Sequence, residues 1–487
     1  MQDPLLSDAA RNALGAPALA TQALRVEHER LALRLAVSAA ISHLALSWPR
    51  IEIENARARV PSFYALEVLR AGEGRLPGLD ELARRAEASG TAHLGWPAPQ
   101  RPEEAIDDTE YDLATLSQLK DADPATSVGA AAYLLGANVH LARALRARAR
   151  RWRKGWSMSD GLIDPDAETI AALARHRIGA RAYSPTALES FAVCPYRFLL
   201  QAIHQLRPRE EIEAVDVLDP LTRGALIHEI QFQLLGALCT ERQLPLSAAR
   251  LEPAFAHLDT AVARVAAEYR ERLAPAIARV WEDAIEAIRI DLREWLRRLA
   301  AAGKAWTPSH FELAFGLPEH LRPQADPASV AEPVKVLDRA LLRGSIDLIE
   351  RQPDGTLRVT DHKTGKVRVP EDAVVWGGQA LQPVLYALVA EALFNKPVAS
   401  GRLHYCTAAG EFTERLIPLD AGSRASAQTV LEVIGRAIEQ GFLPASPLKD
   451  ACDTCDYRIV CGPHEGVRVS RKRSERLADL ASLRGLL

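Results

Sequence analysis

No stretch of this 487-residue chain approaches the ~20 consecutive apolar residues of a membrane-spanning helix. The opening residues, MQDPLLSDAARNALG, lack the basic start and apolar core of a secretory signal. Charge of one sign is also lacking: 60 Lys and Arg stand against 63 Asp and Glu, a net −3, so nucleic acid would have to be held by local basic patches. No internal repeat is evident. No G-x-x-x-x-G-K-[ST] loop occurs, which excludes P-loop ATP hydrolysis by this chain. These absences lead us to expect a cytoplasmic protein without a membrane partner. What is present is ordinary globular composition, 48% hydrophobic and 25% charged, at a length that suits two or three domains.

Residues 1–55 read as a helix in EHERLALRLAVSAA, then a short buried strand in SHLALSW closed by Pro49. Residues 56–181 read as mainly helical, with a Pro-rich acidic loop around GWPAPQRPEEAIDDTEYD. A boundary is expected near 160–182, where SDGLIDPD and RAYSPTALESF restart the chain with turn and capping residues, Ser184 capping the next helix. Helices follow to about 303. Strand signals come next in HFELAFG, LDRALLRGSIDLIER and TLRVTDHKTG, the last two joined by the turn QPDG, before the helix LQPVLYALVAEAL and the strand GRLHYCTA. The result is an α/β domain over 182–466 after a helical lead-in, with a basic tail over 467–487.

In LRVTDHKTG the period of a strand puts Asp361 and Lys363 on one face and His362 on the other. GSID places Asp347 on the partner strand, and the turn lets the two carboxylates converge. Paired carboxylates suit a hard divalent cation such as Mg²⁺, which also takes water and phosphate oxygens into its shell. Phosphodiester hydrolysis needs that combination, with a lysine to orient water and offset developing charge. A lone D-x-K is more often a solvated pair. Here it has companions: His228 in TRGALIHEI upstream, and Gln382 with Tyr386 at i, i+4 on one helix face downstream.

Of six cysteines, three crowd into CDTCDYRIVC as Cys452, Cys455 and Cys461. In a reducing compartment such clustered thiols are more often metal ligands than disulfides. Cys194, at the opposite end of the same domain, is the best fourth ligand, and four thiolates suit either zinc or an iron–sulfur cluster. Cys239 and Cys406 lie in apolar patterns and read as buried core thiols.

In these motifs residues 182–465 resemble the nuclease domain of RecB and AddB recombination proteins, within the PD-(D/E)xK superfamily. The family's order is G-x-x-x-H, G-x-x-D, D-x-K, Q-x-x-x-Y, and here it stands as Gly224 with His228, Gly344 with Asp347, Asp361 with Lys363, and Gln382 with Tyr386. The resemblance implies a nuclease core, a mixed β-sheet flanked by helices. It implies that His228, Asp347 and Asp361 bind Mg²⁺ or Mn²⁺ together with the His362 carbonyl, that Lys363 serves the attacking water, and that Gln382 and Tyr386 touch DNA or frame the site. Glu312 in HFELAFG matches a commonly acidic strand position more loosely. AddB-type and Cas4-type nucleases place one upstream cysteine and a C-terminal triplet around a [4Fe-4S] cluster, which implies a cluster at Cys194, Cys452, Cys455 and Cys461.

EHERLALRLAVSAAISHLALSW resembles the last motif of UvrD-like helicases, with Ser38 at the threonine position and Ala39 where an arginine would reach the ATP γ-phosphate. This agrees with AddB subunits, whose helicase motifs are degenerate. The most basic stretch, Arg143, Arg146, Arg148, Arg150, Arg151, Arg153 and Lys154 with Trp152 and Trp156, suits either single-stranded DNA or a solvated basic helix. The expectation is therefore a Mg²⁺-dependent DNA exonuclease of double-strand break repair, without ATPase activity and beside a helicase partner, acting on single- or double-stranded ends. A Cas4-like single-strand exonuclease and a non-catalytic DNA-binding scaffold are the alternatives.

Overall fold

Strand-period apolar residues from Thr307 onward and helix-period ones before it sort the chain into the layers that position the site. The computed structural model describes residues 98–487 apart from 164–165, 209–216, 303–304, 322–324 and 462–463, and before them residues 11, 13–14, 21–44, 51–52, 57–58, 62–78, 81–82 and 85. The chain divides into two units, Met1–Arg143 and Ala144–Leu487. Among the described residues no helix is long and apolar enough to cross a membrane.

In the first unit a helix spans Gln22–Ser38, opened by the Thr21 side chain accepting from the Leu24 amide and closed by Ala39, with no residue of the helix buried. The strand expected over Ser42–Trp48 lies mostly outside the described residues. Further helices span Phe63–Glu73, Asp108–Asp121 and Pro124–Ala137.

In the second unit, helix α1 is Pro185–Val193, and the Ser184 side chain caps it as the sequence indicates, accepting from the Ala187 amide. Three long helices follow: α2 (Pro220–Thr240), α3 (Leu251–Leu273) and α4 (Ala278–Ala301). The sheet is built from β1 (Thr307–Phe315), β2 (Gly344–Arg351), β3 (Leu357–Lys363), β4 (Val398–Tyr405) and β5 (Glu414–Pro418), in that spatial order. All neighbours are antiparallel except β3 and β4, which run parallel. Parallel neighbours need a crossover, and helix α5 (Gln382–Phe394) supplies it. Helix α6 (Ala421–Glu439) follows the sheet. This is the mixed, helix-flanked sheet expected.

Each sheet face buries its own core. Val359, Ile349, Leu385 and Leu431 meet on the side of α1, α5 and α6, whereas Phe311 and Leu348 pack with Ile230, Val262 and Trp295 of α2, α3 and α4. The turn between β2 and β3 closes with the Gln352 amide donating to the Thr356 carbonyl at 2.9 Å, and Gly355 takes the positive φ of 92° that the turn requires.

Three sequence expectations differ from the structure. The division falls after Arg143, because residues 160–163 pair with the end of the domain: the Ile163 amide donates to Gly441 O at 2.7 Å and the Leu443 amide to Gly161 O at 2.8 Å. The residues after 466 do not form a separate tail. Helix α7 (Ala478–Arg484) sinks Leu480 and Leu483 into the core beside α1 and α6. Cys406 is buried as expected, but Cys239 is exposed, because the core-facing stripe of α2 runs through Leu234, Leu235 and Leu238.

Candidate active site

The end of β3 carries the carboxylate and lysine, and its neighbours bring the other groups to it. Extending the hairpin register from Leu348↔Thr360 sets Asp347 across from Asp361. Asp347 Oδ2 accepts the His362 amide at 2.6 Å, which fixes the backbone between Asp361 and Lys363. From α2, His228 Nδ1 lies 3.5 Å from Asp347 Oδ1 and 3.6 Å from Glu312 Oε1. Among the described residues, the group of ligating atoms within 4.8 Å of one another is His228, Glu312 and Asp347. Asp361 Oδ2 stands 2.7 Å from the Lys363 ammonium, yet this buried oxygen has no hydrogen bond of good geometry. An imidazole, two clustered carboxylates and a third with an unsatisfied buried oxygen fit a hard divalent cation.

Glu312 shows why it sits there. Its backbone holds a φ of +48° in the middle of β1, a conformation a non-glycine residue adopts at a cost of about 1–3 kcal/mol. That twist re-aims the carboxylate toward His228, where it also accepts from Ser345 Oγ at 2.9 Å. Glu312 therefore belongs with the ligand group more firmly than its loose motif match indicates.

The charges separate the two aspartates. Burial alone would raise Asp347, but the His228 ring and the His362 amide outweigh it and hold the carboxyl at about 2. Burial lifts Asp361 to about 6, with Lys363 opposing and Asp347 adding to the rise. Burial also pulls His228 down, and the Asp347 and Glu312 carboxylates together carry it well above its usual value. The His362 ring packs edge-on to Trp295 at 5.7 Å with its Nδ1 3.9 Å from Asp347 Oδ2, and burial drives it to about 3.

Lys363 Nζ donates to Gln382 Oε1 at 2.5 Å, so Gln382 frames the lysine. Tyr386, one turn on, is only 5% exposed and stands edge-on to Phe315 at 6.0 Å. A Cβ at Gly344 would lie 3.3 Å from the Tyr386 hydroxyl, a tight approach that glycine avoids. At Gly224 a Cβ would meet Thr364 Oγ1 at 3.4 Å, an ordinary contact.

One residue went unread in the sequence. Glu189, in the middle of α1, reaches the N-terminus of α5 from about 190 residues upstream, and burial lifts it to about 7 with the Lys363 charge opposing. The available signal was a single carboxylate in an otherwise apolar helix.

Behind the site, β2, β3 and β4 are tied by a buried network. Glu350 accepts from Arg358 Nε at 2.9 Å and from Arg402 Nη2 at 2.8 Å, and Arg402 Nε donates to Thr360 Oγ1 at 2.9 Å.

Cys194, Cys452, Cys455 and Cys461 line one cavity, with Tyr196, Leu200 and Tyr457. Cys194 closes α1, its amide donating to Ser190 O at 3.0 Å, and Leu448 N binds Val193 O at 2.9 Å to bring the triplet alongside. Burial lifts Cys194 and Cys452 to about 11. The aromatic residues of the basic stretch are engaged here instead of standing open: Trp156 Nε1 donates to Arg473 O at 2.9 Å, Arg471 covers the Trp152 ring at 5.1 Å, and Arg151 Nη2 donates to Val460 O at 2.9 Å.

The family model of the PD-(D/E)XK nuclease superfamily matches residues 182–462. A comparison with curated proteins found no match.

Proposed function

Since the chain belongs to the PD-(D/E)XK nuclease superfamily, we propose that it is a Mg²⁺- or Mn²⁺-dependent deoxyribonuclease that digests DNA from its ends in double-strand break repair. The carrying observation is the pairing of Asp361 and Lys363 at the end of β3, next to the His228, Glu312 and Asp347 group. His228, Asp347 and Asp361 would hold the cation, and Glu312 is placed to join them. When bound there, the cation supplies Lewis acidity toward a phosphoryl oxygen.

The chain's own groups do the rest. Lys363, held between Asp361 and Gln382, directs its positive charge toward the attacking water and the developing phosphorane charge. Asp347 keeps that strand end rigid through the His362 amide. With no P-loop in this sequence, unwinding of duplex ends would come from a helicase subunit.

We also propose a [4Fe-4S] cluster at Cys194, Cys452, Cys455 and Cys461. The four share one cavity, which suits four thiolates around zinc or a cluster, and the likeness to AddB- and Cas4-type nucleases favours the cluster. Iron content and visible absorbance of anaerobically purified protein test this, and colourless zinc-loaded protein would refute it.

The nuclease reading is tested with end-labelled single- and double-stranded DNA, with Mg²⁺ or chelator, with and without ATP and a helicase. Asp361→Ala and Lys363→Ala are each expected to lower cleavage by about 10³-fold while the far-UV circular dichroism stays unchanged. Undiminished digestion by both variants would overturn the assignment.

A further inference from the structure

Helix α5 begins with a difficulty. Its first amides have no partner within the helix, Pro383 contributes none, and Leu381 at its N-cap supplies no side-chain acceptor. Glu189 fills the gap from another helix: its Oε1 accepts from the Leu381 amide at 2.8 Å and from the Gln382 amide at 3.1 Å. A carboxylate at this end also complements the helix dipole. The residue whose backbone is held in this way is the one whose side chain holds the lysine, since Gln382 Oε1 accepts from Lys363 Nζ at 2.5 Å.

We propose that Glu189 is a positioning residue for the nuclease reaction. By capping α5 it sets the height of Gln382 against β3, and through Gln382 it sets where the Lys363 ammonium stands relative to Asp361. The inference rests on the nuclease reading for its catalytic half. Among the described residues these two amides have no other acceptor, so removing the Glu189 carboxylate frees the first turn of α5 to fray and lets Gln382 withdraw. The ligands His228, Glu312 and Asp347 lie on α2, β1 and β2 and are not moved.

The test compares Glu189→Ala with Glu189→Gln in the full chain. An amide keeps an oxygen that can accept both backbone hydrogen bonds. Deuterium exchange at the Leu381 and Gln382 amides, which needs no activity, is expected to accelerate at least tenfold in Glu189→Ala and to stay near wild type in Glu189→Gln. Equal exchange in all three proteins overturns the cap. In cleavage assays Glu189→Ala is expected to lose about 10²-fold in kcat, the scale of a 1 Å misplacement, with KM for DNA and Mn²⁺ affinity within about threefold of wild type. Glu189→Gln should recover most of kcat. A loss confined to KM, or an equal loss in the two variants, overturns the positioning role. A wild-type protein inert toward every DNA would overturn the nuclease reading, and the catalytic half of this inference with it, while exchange still decides the cap.

Discussion

Replacing Gly401 by alanine puts the packing of α5 on β4 to a quantitative test. A Cβ at Gly401 would stand 2.1 Å from the Pro383 carbonyl oxygen, 2.4 Å from its carbon and 2.7 Å from its Cα. All three are backbone atoms, so no side chain can swing aside. Restoring a tolerable separation of about 3.2 Å requires α5 to retreat by about 1 Å. Overpacking of this kind costs up to about 3 kcal/mol, which in a domain of this size lowers the melting midpoint by about 6 °C. The retreat carries Gln382 with it and opens the 2.5 Å contact with Lys363, so kcat should fall by about 10²-fold. Gly236→Ala is the contrast, because its Cβ would meet nothing within 4 Å inside α2. That change should stabilise by about 0.5–1 kcal/mol. Scanning calorimetry and single-turnover cleavage measure both. If Gly401→Ala melts and cleaves like wild type, or shifts in the same direction as Gly236→Ala, the close approach of strand and helix is wrong.

Three further perturbations follow from other parts of the fold. Glu350 is held below the usual carboxylate range, burial being outweighed by Arg402 and Arg358. Its contribution is present above the unfolded carboxyl's pKa of about 4.3 and is lost as pH falls through the folded value, so Glu350→Gln should flatten the acid limb of a urea-midpoint profile. The same variant should cost about 3–5 kcal/mol at pH 7 by taking the carboxylate from buried Arg358 and leaving Arg402 with Glu414 alone. An unchanged acid limb would refute this. Lys472→Met removes one half of a buried ion pair with Asp160, 2.6 Å apart, and should cost about 3–5 kcal/mol in denaturant titration. Cys452→Ser should lose bound iron, visible absorbance and solubility together. Loss of cleavage with an unaltered melting curve would contradict a structural role for the cysteine cavity.

Much of the site was legible because strands and helices have short periods. The D-x-K spacing placed Asp361 and Lys363 on one face, QPDG closed the hairpin that sets Asp347 opposite, and Gln382 and Tyr386 fell one helical turn apart. What stayed hidden depends on tertiary geometry. The left-handed backbone at Glu312 leaves no trace in composition. The reach of Glu189 to Leu381 crosses 192 residues, and no local pattern encodes such a contact. Trp152 and Trp156, in a basic stretch that suited either single-stranded DNA or a solvated helix, instead have their partners in the segment around Arg471 and Arg473. The last residues read as a basic tail because charge dominates their composition, although two leucines of α7 decide where they pack.

The closure of this domain by Arg484 and Leu487 bears on how it is made. Arg484 binds the carbonyls of Ala192 and Val193 across a separation of 292 and 291 residues, and Leu487 O accepts from the Val375 and Trp376 amides at 2.7 and 3.1 Å. At about 5–20 residues per second, a ribosome takes about 15–60 s between α1 and the side chain that secures it. During that interval the walls of α1 and of the segment before α5 are incomplete. A nascent chain therefore has its carboxylates and lysine long before Arg484 and Leu487 complete the frame around them.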